Sequence, residues 1–96
     1  MKELEHKDSI IKIIAAFYPE AKIYLFGSYA RGNDTNTSDI DIAVDVGHKL
    51  GLREWSFLWN LLEALPTVQN IDLVDMHRIS EKMREGILKE GIVWKS

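Results

Sequence analysis

The stretch GSYARGNDTNTSDIDIAVD, Gly27 to Asp45, constrains this chain more than any other. It opens on a Gly-Ser pair directly after an apolar run, Ile23-Tyr24-Leu25-Phe26. Ten residues follow, and then Asp39-Ile40-Asp41 begins a strict alternation, DIDIAVDV, up to Val46. Alternation places Asp39, Asp41, Ala43 and Asp45 on one side of a strand and Ile40, Ile42, Val44 and Val46 on the other. The aliphatic side predicts burial. The loop Asn33 to Ser38 is polar by composition.

The surrounding chain supplies partners for that strand. Ser9 to Tyr18 is apolar, long enough for a helix and stopped by Pro19, with Asp8 or Ser9 as its cap. Ala21 to Phe26 reads as a short buried strand ending at Gly27. Ser28 to Gly32 is expected to form one helical turn. Leu52 to Leu65 is a helix ended by Pro66, and Ile71 to Met76 is a third strand. Ser80 caps a helix running to Glu90, with Met83, Ile87 and Leu88 on one side and Gly91 as its stop. Ile92 to Trp94 is a last short strand. The order helix, strand, strand, helix, strand, helix, strand gives the fold class α/β, built in layers.

With 96 residues, the chain is expected to be one domain, residues 1–96, with a small core drawn from its 46% hydrophobic content. The net charge of −3 argues against stable nucleic-acid binding, which needs a basic face to displace counterions. No apolar run approaches membrane-spanning length, and Met1 to Asp8 has no signal-peptide character, so a cytoplasmic location is expected. Cysteine is absent, which excludes thiolate chemistry.

Asp39 and Asp41 are two residues apart on a strand, so their α-carbons stand about 6.5–7 Å apart with both carboxylates on one face. Like charges so placed repel unless a cation lies between them. Mg²⁺ suits them, because it takes oxygen ligands and binds through one or two carboxylates plus substrate phosphates. Gly27 lets the backbone approach a ligand, and backbone N–H groups at a helix start favour anions. The Ser28 hydroxyl can donate to a phosphate oxygen. Arg31, three residues on, adds a charge with bidentate geometry. The layout therefore accommodates a nucleoside triphosphate at one end and its metal ions at the other. A third acid is expected nearby. Asp72 and Asp75 face opposite sides of the third strand, and pattern alone does not choose between them.

Gly27, Ser28, Arg31, Gly32, Ser38, Asp39, Asp41 and the strand Ile71-Asp72-Leu73-Val74-Asp75 resemble a minimal nucleotidyltransferase (MNT) domain of the DNA polymerase β-like superfamily. The resemblance covers nearly the whole chain. It implies a small mixed β-sheet flanked by helices, the polymerase β-like palm fold, and Mg²⁺-dependent transfer of AMP from ATP, with pyrophosphate released. It implies Asp39, Asp41 and Asp72 as catalytic, metal-binding acids, which favours Asp72 over Asp75. Gly27, Ser28 and Arg31 correspond to the nucleotide-binding residues. Domains of this length are similar to the antitoxins of MNT–HEPN toxin–antitoxin pairs, which implies a HEPN ribonuclease toxin as partner and a tyrosine as AMP acceptor. The other reading is a binding module that neutralises its partner by occlusion.

The remaining signals are plainer. Asp45 reads as a solvated side chain, and His6, His48 and His77 as surface residues rather than ligands. Leu52, Trp55, Trp59 and Leu62 form a stripe, and Phe57, Leu58, Leu61, Ala64 and Leu65 spread apolar character over much of the remaining circumference. A helix packed on one sheet keeps a clear polar face. Either the tryptophans fill a small core, or part of this surface meets another protein, a second copy included.

Overall fold

The computed structural model describes residues 6–27, 30, 32, 39–67 and 69–96. Among them seven elements follow in order: α1 (Lys7–Phe17), β1 (Lys22–Phe26), β2 (Ile40–Asp45), α2 (Leu52–Glu63), β3 (Ile71–Asp75), α3 (Glu81–Glu90) and β4 (Ile92–Lys95). The four strands form one sheet in the order β3-β2-β1-β4. β1 is antiparallel to both β2 and β4, and β2 runs parallel to β3 through the α2 crossover. The sheet is mixed, as the family resemblance implied.

α1 and α2 cover one face. Ile10 and Ile14, four apart on α1, and Leu58 and Leu62, four apart on α2, are fully buried against Ile23, Leu25, Ile40, Ile42, Val44 and Leu73. Each such side chain contributes about 1.5–3 kcal/mol by leaving water. The aliphatic side of DIDIAVDV is therefore the main core face. The other face is not simply wet. α3 lies across it, and Tyr24, Ala43, Met76 and Ile87 form a second buried cluster with Phe26 and Ile79 at its margin. Ala43, on the acidic side of the alternation, has no exposed surface. Asp41 and Asp72 share this face.

Local chemistry fixes the element ends. The Ser80 Oγ accepts from the Met83 N–H at 3.1 Å, capping α3 as the sequence predicts. α1 instead starts at Lys7 with His6 at its N-cap position and no side-chain cap, so Asp8 and Ser9 lie inside the first turn. There Asp8 faces the positive end of the helix dipole. Leu88 does not share the buried side of Ile87 and is 54% exposed. Tyr18 Oη donates to Glu54 Oε2 at 2.7 Å, tying the end of α1 to the start of α2. Burial, then the neighbouring Glu54 carboxylate, pushes the Tyr18 hydroxyl up to about 12. The edge strand is anchored by Lys95, whose Nζ donates to the Pro19 and Ala21 carbonyls at 2.6 and 3.1 Å.

The tryptophans of α2 resolve toward the core. Trp55 and Trp59 are half-buried, pack against the main cluster and meet edge to face at 4.5 Å between ring centroids. The outer side of α2 carries two apolar residues among polar ones: Leu52 is 75% and Phe57 49% exposed, and Phe57 stacks edge-on against the half-exposed Phe17 of α1 at 5.0 Å.

Candidate active site

Parallel pairing of β2 with β3 sets Asp41 opposite Asp72 in register. Neighbouring strands run about 4.8 Å apart, so two carboxylates rise side by side from one face. Asp41 is half-buried and Asp72 exposed. Asp39 lies two residues before Asp41, ahead of the strand proper, and is exposed. On the other side of Asp41 its antiparallel partner is Phe26, the last residue of β1. Gly27 follows with φ +75°, in the left-handed region that favours glycine. A Cβ on Gly27 would collide with Asp41 Oδ2 and stand 3.0 Å from its Cγ. The turn is thus folded directly against the carboxylate. Ser28 and Arg31 lie outside the described residues.

Asp75 is separated from this group. It is 3% exposed and belongs to the core face, opposite Val44. Its Oδ2 accepts from the Leu50 N–H at 2.8 Å and its Oδ1 from the His77 N–H at 2.9 Å. Arg78 stands 3.7 Å from it and donates to the Leu50 carbonyl through Nη2 at 2.6 Å. Asp75 therefore fastens the loop before α2 to the end of β3.

Asp45 and His77 are not solvated bystanders. Asp45 Oδ1 accepts from the Gly47 N–H at 2.8 Å and lies 2.7 Å from His77 Nε2. Burial raises the Asp45 carboxyl, but the Gly47 hydrogen bond, the His77 contact and the Lys22 charge together hold it below its ordinary value. This pair lies at the opposite end of β2 from Asp41 and takes no part in the site. Sequence alone could not show it, because the two residues are 32 positions apart.

Sequence reading also missed a cleft of about 220 Å³ beside Gly27, lined by Phe26, Ala30, Met83, Ile87 and Glu90 among others. The signal that could have found it is Gly86, a glycine inside the predicted last helix.

As donors, Asp41 and Asp72 are hard carboxylate oxygens in adjacent register, which fits Mg²⁺ bound through two carboxylates with phosphate oxygens completing its shell. Among the described residues, no three His, Cys, Asp or Glu side chains converge as a ready-made metal site. The described residues also include no helix long and apolar enough to cross a membrane.

A mixed four-stranded sheet, helices packed on its back, and acids in register beside a left-handed glycine turn define a palm-type nucleotidyltransferase domain. Residues 8–96 match the family model described as polymerase beta, nucleotidyltransferase, and the chain belongs to that family. It is 34% identical over 88 residues to the protein adenylyltransferase MntA of Shewanella oneidensis, a match covering 90% of this chain and 62% of that protein. The chain thus spans less than two thirds of that curated relative. It superposes on a toxin–antitoxin crystal structure with AMP-PNP at a TM-score of 0.78 and 30% identity, covering 95% of this chain and 73% of that one. It also resembles the structure of a tri-AMPylated Shewanella oneidensis HEPN toxin in complex with MNT antitoxin: TM-score 0.72, 29% identity, 93% of this chain and 68% of that one.

Proposed function

We propose that this chain is one minimal nucleotidyltransferase domain that moves AMP from ATP to a hydroxyl acceptor, a tyrosine of a partner HEPN ribonuclease toxin, and so acts in the cytoplasm as an antitoxin. The observation that carries the reading is the register pairing of Asp41 with Asp72 beside the Gly27 turn. The likeness to a named protein adenylyltransferase and to structures holding an AMPylated toxin or AMP-PNP supports the substrate and the acceptor.

Gly27 brings backbone close to the β- and γ-phosphates, and Ser28 and Arg31 donate to their oxygens. Asp39, Asp41 and Asp72 supply the oxygen ligands for Mg²⁺, which when bound offsets the charge that develops on the transferring phosphate. Asp72, the most exposed strand acid of the pair, takes the proton of the acceptor hydroxyl. The acceptor oxygen forms a bond to the α-phosphorus as the bond to the bridging oxygen breaks, and pyrophosphate leaves toward the Gly27 turn. Phosphoryl chemistry of this kind depends on positioning and electrostatics, which a rigid sheet end provides.

The occlusion reading draws on a different surface. Phe17, Leu52 and Phe57 are exposed on the helical side, away from the acids. Both activities can reside in one chain. The test is intact mass of the helical protein encoded beside this one after incubation with this chain, ATP and Mg²⁺. Gain of AMP units, absent with Asp39→Asn plus Asp41→Asn, is expected. A stable complex without mass change would reject transfer in favour of occlusion.

A further inference from the structure

We infer that the outer edge of β3 receives the acceptor as an extended polypeptide segment, which adds a strand beside Asp72 and presents its tyrosine on the face that carries the acids. This rests on the nucleotidyl transfer proposed above. Attacking and leaving oxygens lie roughly in line through the phosphorus in such a reaction. Pyrophosphate leaves toward the Gly27 turn, at the end of β1, so the acceptor comes from the other side of Asp41. On that side the sheet ends at β3, which carries Asp72.

Hydrogen bonds to β2 fix which way the β3 backbone points. The Ile40 N–H donates to the Asn70 carbonyl, and the Met76 N–H donates to the Val44 carbonyl, each at 2.9 Å. In a strand the N–H and C=O of one residue point to the same side, and successive residues alternate. Asn70, Asp72, Val74 and Met76 therefore turn their backbone groups to β2, and Ile71, Leu73 and Asp75 turn theirs to the outer edge. The Asp75 carbonyl is taken by the Arg78 N–H at 2.9 Å. Among the described residues, nothing pairs with the N–H and C=O of Ile71 and Leu73, or with the Asp75 N–H. The Ile71 and Leu73 side chains meanwhile belong to the main core cluster and hold the strand in place.

A row of unpaired backbone groups on a terminal strand is a template for another strand, and bulges, lysine and proline are the usual protections against it. The two edges of this sheet differ in this respect. β4 is blunted: its register with β1 shifts between Ile23 and Tyr24, and it carries Lys95. β3 pairs with β2 from Ile71 to Asp75 without a shift, and its sequence IDLVD contains no lysine or proline.

The placement suits a tyrosine. A strand added to β3 runs about 4.8 Å from it, and the residue opposite Asp72 projects its side chain to the same face as Asp72. Asp41 lies one strand further in. A tyrosine there extends its hydroxyl over the carboxylates, whereas a serine hydroxyl stays beside its own backbone and falls short. The tyrosine Oη bonds to the α-phosphorus, its proton passes to Asp72, and the bond to the bridging oxygen breaks as pyrophosphate leaves. Main-chain pairing supplies affinity, and alternate side chains supply specificity.

The experiment measures AMP transfer from ATP, with Mg²⁺ and the full chain, to short synthetic peptides of threonine and valine with one central tyrosine. The unmethylated peptide is compared with two forms N-methylated on alternate sets of amides, because only every second amide of an added strand faces β3. The unmethylated peptide should accept AMP. One methylated form should lose at least about tenfold in kcat/KM, because its amides no longer donate to the edge carbonyls, and the other should keep its rate. The form that loses reports whether the segment runs parallel or antiparallel to β3. Equal values for the two methylated forms would overturn the inference. AMP on the helical protein encoded beside this chain, with none on any peptide, would also overturn it and leave the proposed function standing. No AMP on either protein or peptide removes the proposed function, and this inference with it.

Discussion

The Asp41 carboxylate occupies the space where a side chain at Gly27 would stand. The two residues come from different strands, and the left-handed turn at Gly27 is what lets them touch. A glycine required twice over, by φ and by its neighbour, gives a sharp expectation. Gly27→Ala should lower stability by about 1–2 kcal/mol from the backbone conformation alone. Displacement of Asp41 should also suppress AMP transfer. In a double-mutant cycle with Asp41→Ala, part of the lost stability should return, because the colliding carboxylate is gone. Thermal melts of the four proteins measure this. Strict additivity would show that the contact does not matter.

Asp72 and Asp75 should separate cleanly when each is substituted. Asp72→Asn should abolish transfer and leave the melting temperature unchanged or slightly raised, since it removes a like charge beside Asp41. Asp75→Ala should unfold the protein more easily, by about 1–3 kcal/mol, because it strands the Leu50 and His77 N–H groups. Transfer assays run beside melts read both effects. Retained activity in Asp72→Asn would remove it from the site.

Asp45 sets an acid-side dependence. Its carboxyl is held below its ordinary value in the folded chain, so the stability it contributes is present above the unfolded pKa of about 4 and is lost as pH falls through the lowered folded value. Asp45→Asn should therefore cost about 1 kcal/mol near neutrality, about 4–8 °C in melting temperature for a domain this small. That gap should close as the pH is taken down past 4 and toward the lowered value. A gap of constant size at every pH would mean that the ionised Asp45 contributes nothing.

Trp59 buries its indole Nε1 with no hydrogen-bond partner among the described residues. Trp59→Phe removes that unsatisfied donor while keeping an aromatic ring, so stability should change by less than about 1 kcal/mol. Trp59→Glu should destabilise by more than about 2 kcal/mol, because it places a charge against the main core cluster. Urea titrations distinguish them. A harmless Trp59→Glu would show that the indole contributes nothing to the main core cluster.

Local structure was legible in the order of residues alone. Apolar periodicity, prolines and the Ser80 cap set the seven elements to within a residue or two, because those signals act within a turn or a strand. The DIDIAVDV alternation likewise identified the main core face. The resemblance to the family was likewise carried largely by a local motif, since Gly27, Ser28, Asp39 and Asp41 lie within one short stretch of chain. Where the two acids of β3 stand became legible only in the fold. Parallel register puts Asp72 beside Asp41 and turns Asp75 into the core, and register is a property of two strands, not of one. The fold likewise decided that Asp45 meets His77, that α3 covers Ala43, and that Gly86 opens a cleft beside Gly27. Each of these is a contact between distant segments, whose free energy comes from packing and pairing that no local pattern encodes.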